Sequence, residues 1–266
     1  MKTEKIVSKS LRKIWQKWSI GFKLMPLIIL VGFFKYFSHR FGLEIMELNA
    51  LFTSLVAGTI FLIGFLIKGV LSDYKESEKI PSDLSASLMS LFDDTYTIFK
   101  SKNFDGALQF MEYQKSFIIL LIDWFYKKER TKLILEKISL MNDYFIELDK
   151  LGVQANYIIK MKNEQNSLRK MVLRIDTIRA TEFVSSAYAI VQAMGFLIIG
   201  ALLMMRIEPF YASLFFTLLV TFLISYMFLL IRDLDNPFDY SVNGESGTEI
   251  SLKPIHDLQN ALKNFK

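Results

Sequence analysis

The sequence predicts an all-α membrane protein with four transmembrane helices and a cytosolic helical domain inserted between the second and third. Three observations carry this. Apolar residues make up 52% of the 266-residue chain, with 24 Phe, and the excess is gathered in a few long runs rather than spread through one core. Between those runs, residues 73–182 are polar and repeat their apolar positions at helical spacing. Lys2, Lys5, Lys9, Arg12, Lys13 and Lys17 crowd the start of the chain, and basic residues beside an apolar run mark its cytoplasmic side.

Residues 1–21 therefore read as a basic cytoplasmic arm, with Trp15 and Trp18 at the membrane interface. The adjacent membrane segment accounts for the basic charge, so no nucleic-acid partner is inferred. The first run, Phe22 to Phe37, holds only about eleven apolar residues between Lys23 and Lys35, a length that also suits a signal-peptide core. No small-x-small cleavage site follows it. With both lysines able to snorkel to opposite interfaces, an uncleaved helix is expected.

The second run, from about Leu48 to Val70, is long enough to cross a bilayer with some tilt. Gly58, Gly64 and Gly69, with Ser54 and Ala57, allow close helix packing or leave room beside a pore axis. Ala57, Phe61, Gly64 and Lys68 lie three or four residues apart, on one helix face. Around an axis, that face would form an apolar constriction ending in ammonium groups. Apolar constrictions gate by dewetting and cationic rings favour anions; an ordinary packing face is the other reading.

In residues 73–182, Pro81 suits an early helical position with Ser82 or Asp83 as caps. Leu84, Leu88, Leu91, Phe92, Ile98 and Phe99 follow at helical spacing. Lys102 to Gly106 reads as a turn, Ala107–Tyr126 as a second helix and Arg130–Lys150 as a third, with a break near Gly152. The dense Phe117–Leu121 section is too short to span and is expected inside the helical domain. From Gln154 no proline occurs until Pro209. Ile158, Met161, Leu168, Met171, Ile175 and Ile178 form a stripe, so this helix is expected to run directly into the third span, Phe183–Met205; a break near Thr181 is the other reading. Arg206-Ile207-Glu208-Pro209 is then a short turn before the fourth span, Phe210–Leu230. Residues 22–72 and 183–231 thus form the membrane part, and 232–266 a cytosolic C-terminal segment. Short external loops place both termini and the charged block on one, cytoplasmic, side.

The last span runs into Ile231-Arg232-Asp233-Leu234-Asp235-Asn236-Pro237-Phe238-Asp239-Tyr240. Carboxylates are costly in hydrocarbon, so Asp233 lies at or beyond the membrane surface. Proline disfavours helical geometry in the residue before it, so the helix should end near Asn236. Asp233, Asp235 and Asp239 offer the oxygen ligands that calcium prefers. However, the glycine and terminal Glu of an EF-hand loop are missing, and the acids read first as caps and interface charges. With Pro237 and Phe238 they define a structural junction or possible cation site.

Other chemistry has no support. With no cysteine and two separated histidines, His39 and His256, neither a disulfide framework nor a Cys or His metal centre is expected. No P-loop, GxSxG, HExxH or dinucleotide fingerprint occurs. The chain is not expected to be an enzyme or to use a cofactor.

These residues together resemble the bestrophin superfamily, including bacterial bestrophin-like membrane proteins. Asp235-Asn236-Pro237-Phe238 is similar to the acidic-x-Pro-Phe motif after that family's last span. Ile250-Ser251-Leu252-Lys253-Pro254-Ile255 resembles the extended segment leading to its C-terminal helix. Ile63-Gly64-Phe65 resembles the Leu-Gly-Phe of its pore-lining second helix, and Tyr74 to Leu84, with Pro81, resembles the start of its cytosolic domain. The resemblance implies a homo-oligomer, a pentamer, in a bacterial inner or plasma membrane. It also implies a central ion channel lined by Ala57, Phe61 and Gly64 and, in most characterised members, selective for anions. Two departures stand out. Gly58-Thr59-Ile60-Phe61 replaces the family's proline- and aromatic-rich neck, and no run of acids follows Phe238, so calcium gating does not carry over. The competing reading is a non-conducting scaffold or signalling protein whose cytosolic bundle recruits a partner.

Overall fold

The computed structural model describes residues 2–181, 185–240, 249–263 and 265, with the side chains of residues 2–17, 19 and 185 outside the description. In chain order the elements are α1 Lys2–Arg40, β1 Met46–Glu47, α2 Ala50–Ser77, α3 Ile80–Lys102, α4 Asp105–Phe125, α5 Thr131–Lys150, α6 Ala155–Ala180, α7 Ser185–Met204, β2 Met205–Arg206, α8 Phe210–Asp235 and α9 Lys253–Lys263. They form two compact units, Met1–Tyr74 with Glu182–Asp235, and Lys75–Thr181 with Asn236–Lys266.

The first unit contains the four segments long and apolar enough to cross a membrane, in α1 from Ile20, in α2, in α7 from Ser186 and in α8. The first run, doubtful from its length alone, lies within one long helix, so residues 22–37 are helical throughout. Apolar side chains in lipid gain little from mutual burial, so packing and polar contacts hold such helices together. One face of α2, with Phe52, Ile63, Leu66 and Val70 buried, shares an apolar cluster with Val191, Ile198 and Leu202 of α7 and Ile224 and Ile231 of α8. Gly195 lets α7 and α8 approach closely, since a β-carbon there would sit 3.2 Å from Ile224.

A parallel bridge closes one end of this unit, pairing Met46 with Met205 and Glu47 with Arg206. Lys35 reinforces it. It was expected at the lipid interface, but it is fully buried. Its ammonium donates to the carbonyls of Leu202, at 3.1 Å, in the last turn of α7, and of Met205, in β2, at the end of the helix where backbone acceptors lack helical partners. Its counter-ion is Glu44 Oε1, 2.7 Å away.

The second unit is a bundle in which α3 packs on α4, α6 and α9, and α5 packs between α4 and α6. Leu84, Leu88, Leu91 and Phe92 of α3 are buried, as are Phe117, Ile118 and Leu121 of α4 and Met161, Leu168 and Ile175 of α6. Asn103, at φ 46°, and Gly152, at φ 69°, end α3 and α5 where turns were expected; the left-handed region suits both residue types. Ser82 and Asp83 do not cap α3. Lys79 is the N-cap residue, Pro81 sits in the first turn, and the amides of Ser82 and Asp83 already bond to the Lys79 carbonyl.

One expectation about helix continuity is corrected. α6 does not run into α7: Thr181 has extended backbone, φ −121° and ψ 131°, and α6 ends at Ala180. Phe183, the expected start of the third span, lies outside the described residues. The fourth apolar helix passes Leu230 and ends at Asp235, next to the expected stop at Asn236, because Pro237 restricts the residue before it.

Candidate functional site

Asn49 starts α2: its side-chain oxygen accepts from the backbone amide of Phe52 at 2.9 Å, an N-cap. From there the helix presents two different faces. Phe52, Thr59, Ile63, Leu66 and Val70 form the buried one. On the opposite side Ala57, Phe61, Gly64 and Lys68 are all exposed, with Phe61 76% accessible. The four expected residues therefore share one strip that no other described part of this chain covers.

The glycines of this strip do not serve packing inside the chain. A β-carbon at Gly58 or Gly64 would meet nothing within 4 Å. Close packing within this chain was the plain alternative for these glycines, and at these two positions it does not operate. Thr59, on the buried side, returns its hydroxyl to the Leu55 carbonyl at 2.9 Å. Among the described residues no acid pairs with Lys68, so its ammonium is a net charge at one end of an apolar strip.

The Pro-Phe junction is assembled inside the second unit. Phe238 and Tyr240 are buried, and both rings meet Phe125 at the end of α4, with centroids 6.3 and 5.9 Å apart. The Ile250 amide donates to the Pro237 carbonyl at 3.1 Å, and the Tyr240 hydroxyl donates to the Ile250 carbonyl. The C-terminal segment is thereby pinned beside the motif. Arg179, which no sequence argument singled out, completes it. Its Nε donates to the Phe238 carbonyl at 3.2 Å, its two terminal nitrogens to Trp124 and Phe125 carbonyls at 3.4 and 2.9 Å, and its plane lies 4.8 Å from the Trp124 ring. Burial pushes its pKa down, against the nearby Tyr240, Asp176 and Asp239, yet a guanidinium stays charged.

Of the junction acids, Asp239 is ion-paired with Lys127, while Asp233 and Asp235 lie in the last turn of α8 and are half-buried. Among the described residues no group of three or more His, Asp or Glu is placed to hold a metal ion. The geometry of Pro237, Phe238 and Asp239 is that of a docking point.

An apolar four-helix unit carrying a separate helical bundle defines the class: an integral membrane protein. The fold is that of bacterial bestrophin homologues. A crystal structure of the homologue from Klebsiella pneumoniae matches with a TM-score of 0.75 at 15% identity, covering 91% of this chain and 98% of that one. A second structure of it, solved by zinc phasing, matches with a TM-score of 0.74 at 16% identity, covering 91% and 97%. A crystal structure of a membrane protein carrying a proline-to-alanine substitution matches with a TM-score of 0.75 at 16% identity, covering 92% and 97%. No family model matches the sequence, and no curated protein does.

Proposed function

We propose that this chain is the subunit of a homo-oligomeric bestrophin-type ion channel that passes anions along the exposed strip of α2. The observation that supports it most is the two-sided character of that helix. One face is buried against α7 and α8, while Ala57, Phe61, Gly64 and Lys68 form a continuous uncovered strip. Repeated around an axis, the strip gives a ring of Phe61 as the narrowest part, bare backbone at Gly64 beside it, and a ring of Lys68 ammonium groups at one mouth. Such a pore excludes water when narrow and favours anions. Fold likeness to the bestrophin homologues supports the oligomer, a pentamer, and the bacterial inner membrane as its location. The basic arm at the N-terminus supports cytoplasmic termini, with residues 73–182 forming a cytosolic vestibule.

Purified protein in a planar bilayer tests this reading. A chloride gradient should give a reversal potential on the anion side, and Lys68→Glu should move it toward cations. An intact oligomer that carries no current under any anion gradient or voltage would leave the scaffold reading instead.

A further inference from the structure

Within the first unit, α1, α7 and α8 enclose a groove of about 250 Å³ bordered by Leu27, Gln192, Gly195, Ile199, Ser225 and Phe228. Its walls are almost wholly apolar, and it opens outward beside exposed Gln192 and Phe196. It falls below the usual range for drug-sized ligands, and its apolar lining suits a hydrocarbon chain.

The groove lies at a definite end of the helices. Late in α1, His39 stacks on Phe210 at the start of α8 and Tyr36 meets the same ring edge to face. The early turns of α1 therefore lie beside the late turns of α8, and the groove is built from those turns and the first half of α7. Two cations stand at this end. Lys23 precedes Leu27 by four residues, and Arg232 follows Phe228 by four, so each sits one turn beyond a groove-lining residue on the same helix face. Both are exposed, and among the described residues neither has an ion-pair partner. Asp233 neighbours Arg232 in sequence but projects about 100° away around the helix.

We infer that this groove binds an anionic phospholipid, one acyl chain lying between α1, α7 and α8 and its phosphate held by Lys23 and Arg232. Apolar burial fixes the chain, and the paired cations select the headgroup, as basic pockets between membrane helices do. This assignment is independent of whether the protein conducts.

Native mass spectrometry of the detergent-purified protein tests it, with phosphatidylglycerol and phosphatidylcholine of identical chains as probes. Wild-type protein should retain phosphatidylglycerol about tenfold better. Lys23→Gln with Arg232→Gln should erase that preference at unchanged melting temperature, both side chains being at the surface. Ser225→Phe, which fills the groove, should lower retention of both lipids. Equal retention by the wild type, or a preference that survives the double substitution, overturns the proposal. So does ready cross-linking between copies of a Gln192→Cys, Phe196→Cys variant, which would make a second copy the occupant.

Discussion

Arg179 and Phe238 are joined by a hydrogen bond of 3.2 Å from Nε to the backbone carbonyl, and that bond ties the end of α6 to the Pro-Phe motif. The same guanidinium donates to the carbonyls of Trp124 and Phe125 at the C-terminus of α4; the Trp124 carbonyl also accepts from the Lys127 amide at 3.0 Å. One side chain thus holds three chain segments that are far apart in sequence.

Replacing Arg179 by Met keeps much of the apolar stem and removes every one of these bonds. Hydrogen bonds to charged groups contribute about 1.5–3 kcal/mol, and stranded carbonyls add a desolvation cost. A loss of about 3 kcal/mol is expected, lowering the melting temperature by roughly 5–10 °C. Trypsin should also cut faster at exposed Lys263, at the end of the C-terminal helix that follows the pinned segment. Arg179→Lys should fall between the two, because an ammonium keeps the charge but not the planar fork. An unchanged melting temperature and cleavage rate would remove Arg179 from the junction.

Lys35 has the same role in the membrane unit and a larger expected effect. It is fully buried, with Glu44 2.7 Å away and the carbonyls of Leu202, in α7, and Met205, in β2, as acceptors. Lys35→Met leaves a buried carboxylate without its counter-ion, which costs about 3–5 kcal/mol. Adding Glu44→Gln removes the stranded charge and should restore part of the loss. The two substitutions are therefore expected to be non-additive in a double-mutant cycle read by thermal unfolding in detergent. Additive losses would show that Lys35 acts only through the carbonyls.

Acid should loosen this end of the molecule. Burial raises the Glu44 pKa, but hydrogen bonds with His39 and Lys35, and the charge of both, lower it further, and the net direction is down from its ordinary 4.5. A depressed carboxylate pKa contributes stability that is present above the ordinary value and is lost as pH falls through the folded one. The difference in melting temperature between wild type and Glu44→Gln should hold steady above about pH 5 and shrink below it. A difference that grows toward low pH would contradict the sign of the shift.

Signals confined to a few neighbouring residues were legible in the sequence. The apolar runs gave the spans, Pro237 gave the end of α8 at Asp235, and Gly152 and the Lys102–Gly106 stretch gave the breaks around α4 and α5. The Asn49 cap was also visible in principle, as an Asn just before an apolar run. What stayed hidden depends on partners remote in the chain. Lys35 looks like an interfacial lysine until the C-terminus of α7 is placed beside it. Met46 and Met205 form a bridge too short to leave an alternating pattern. Arg179 lies in an ordinary charged last turn, and the extended Thr181 has no glycine or proline to announce it. On α2 the sequence showed that Ala57, Phe61, Gly64 and Lys68 share a face. That the face is uncovered required the positions of α7 and α8.

The exposure of Phe61 makes the pore reading separable from effects on folding. Its ring makes little contact within the chain, so Phe61→Ala should leave the stability of the subunit within about 0.5 kcal/mol of wild type. If five such rings form the neck, the same change widens the constriction and lowers its dewetting barrier, and single-channel conductance in a planar bilayer should rise. Phe61→Trp should reduce it. Gly64→Leu, adding bulk where a β-carbon meets nothing within the chain, should block current without unfolding the subunit. Conductance that ignores all three substitutions, with assembly confirmed by electron microscopy, would move the constriction away from this face of α2.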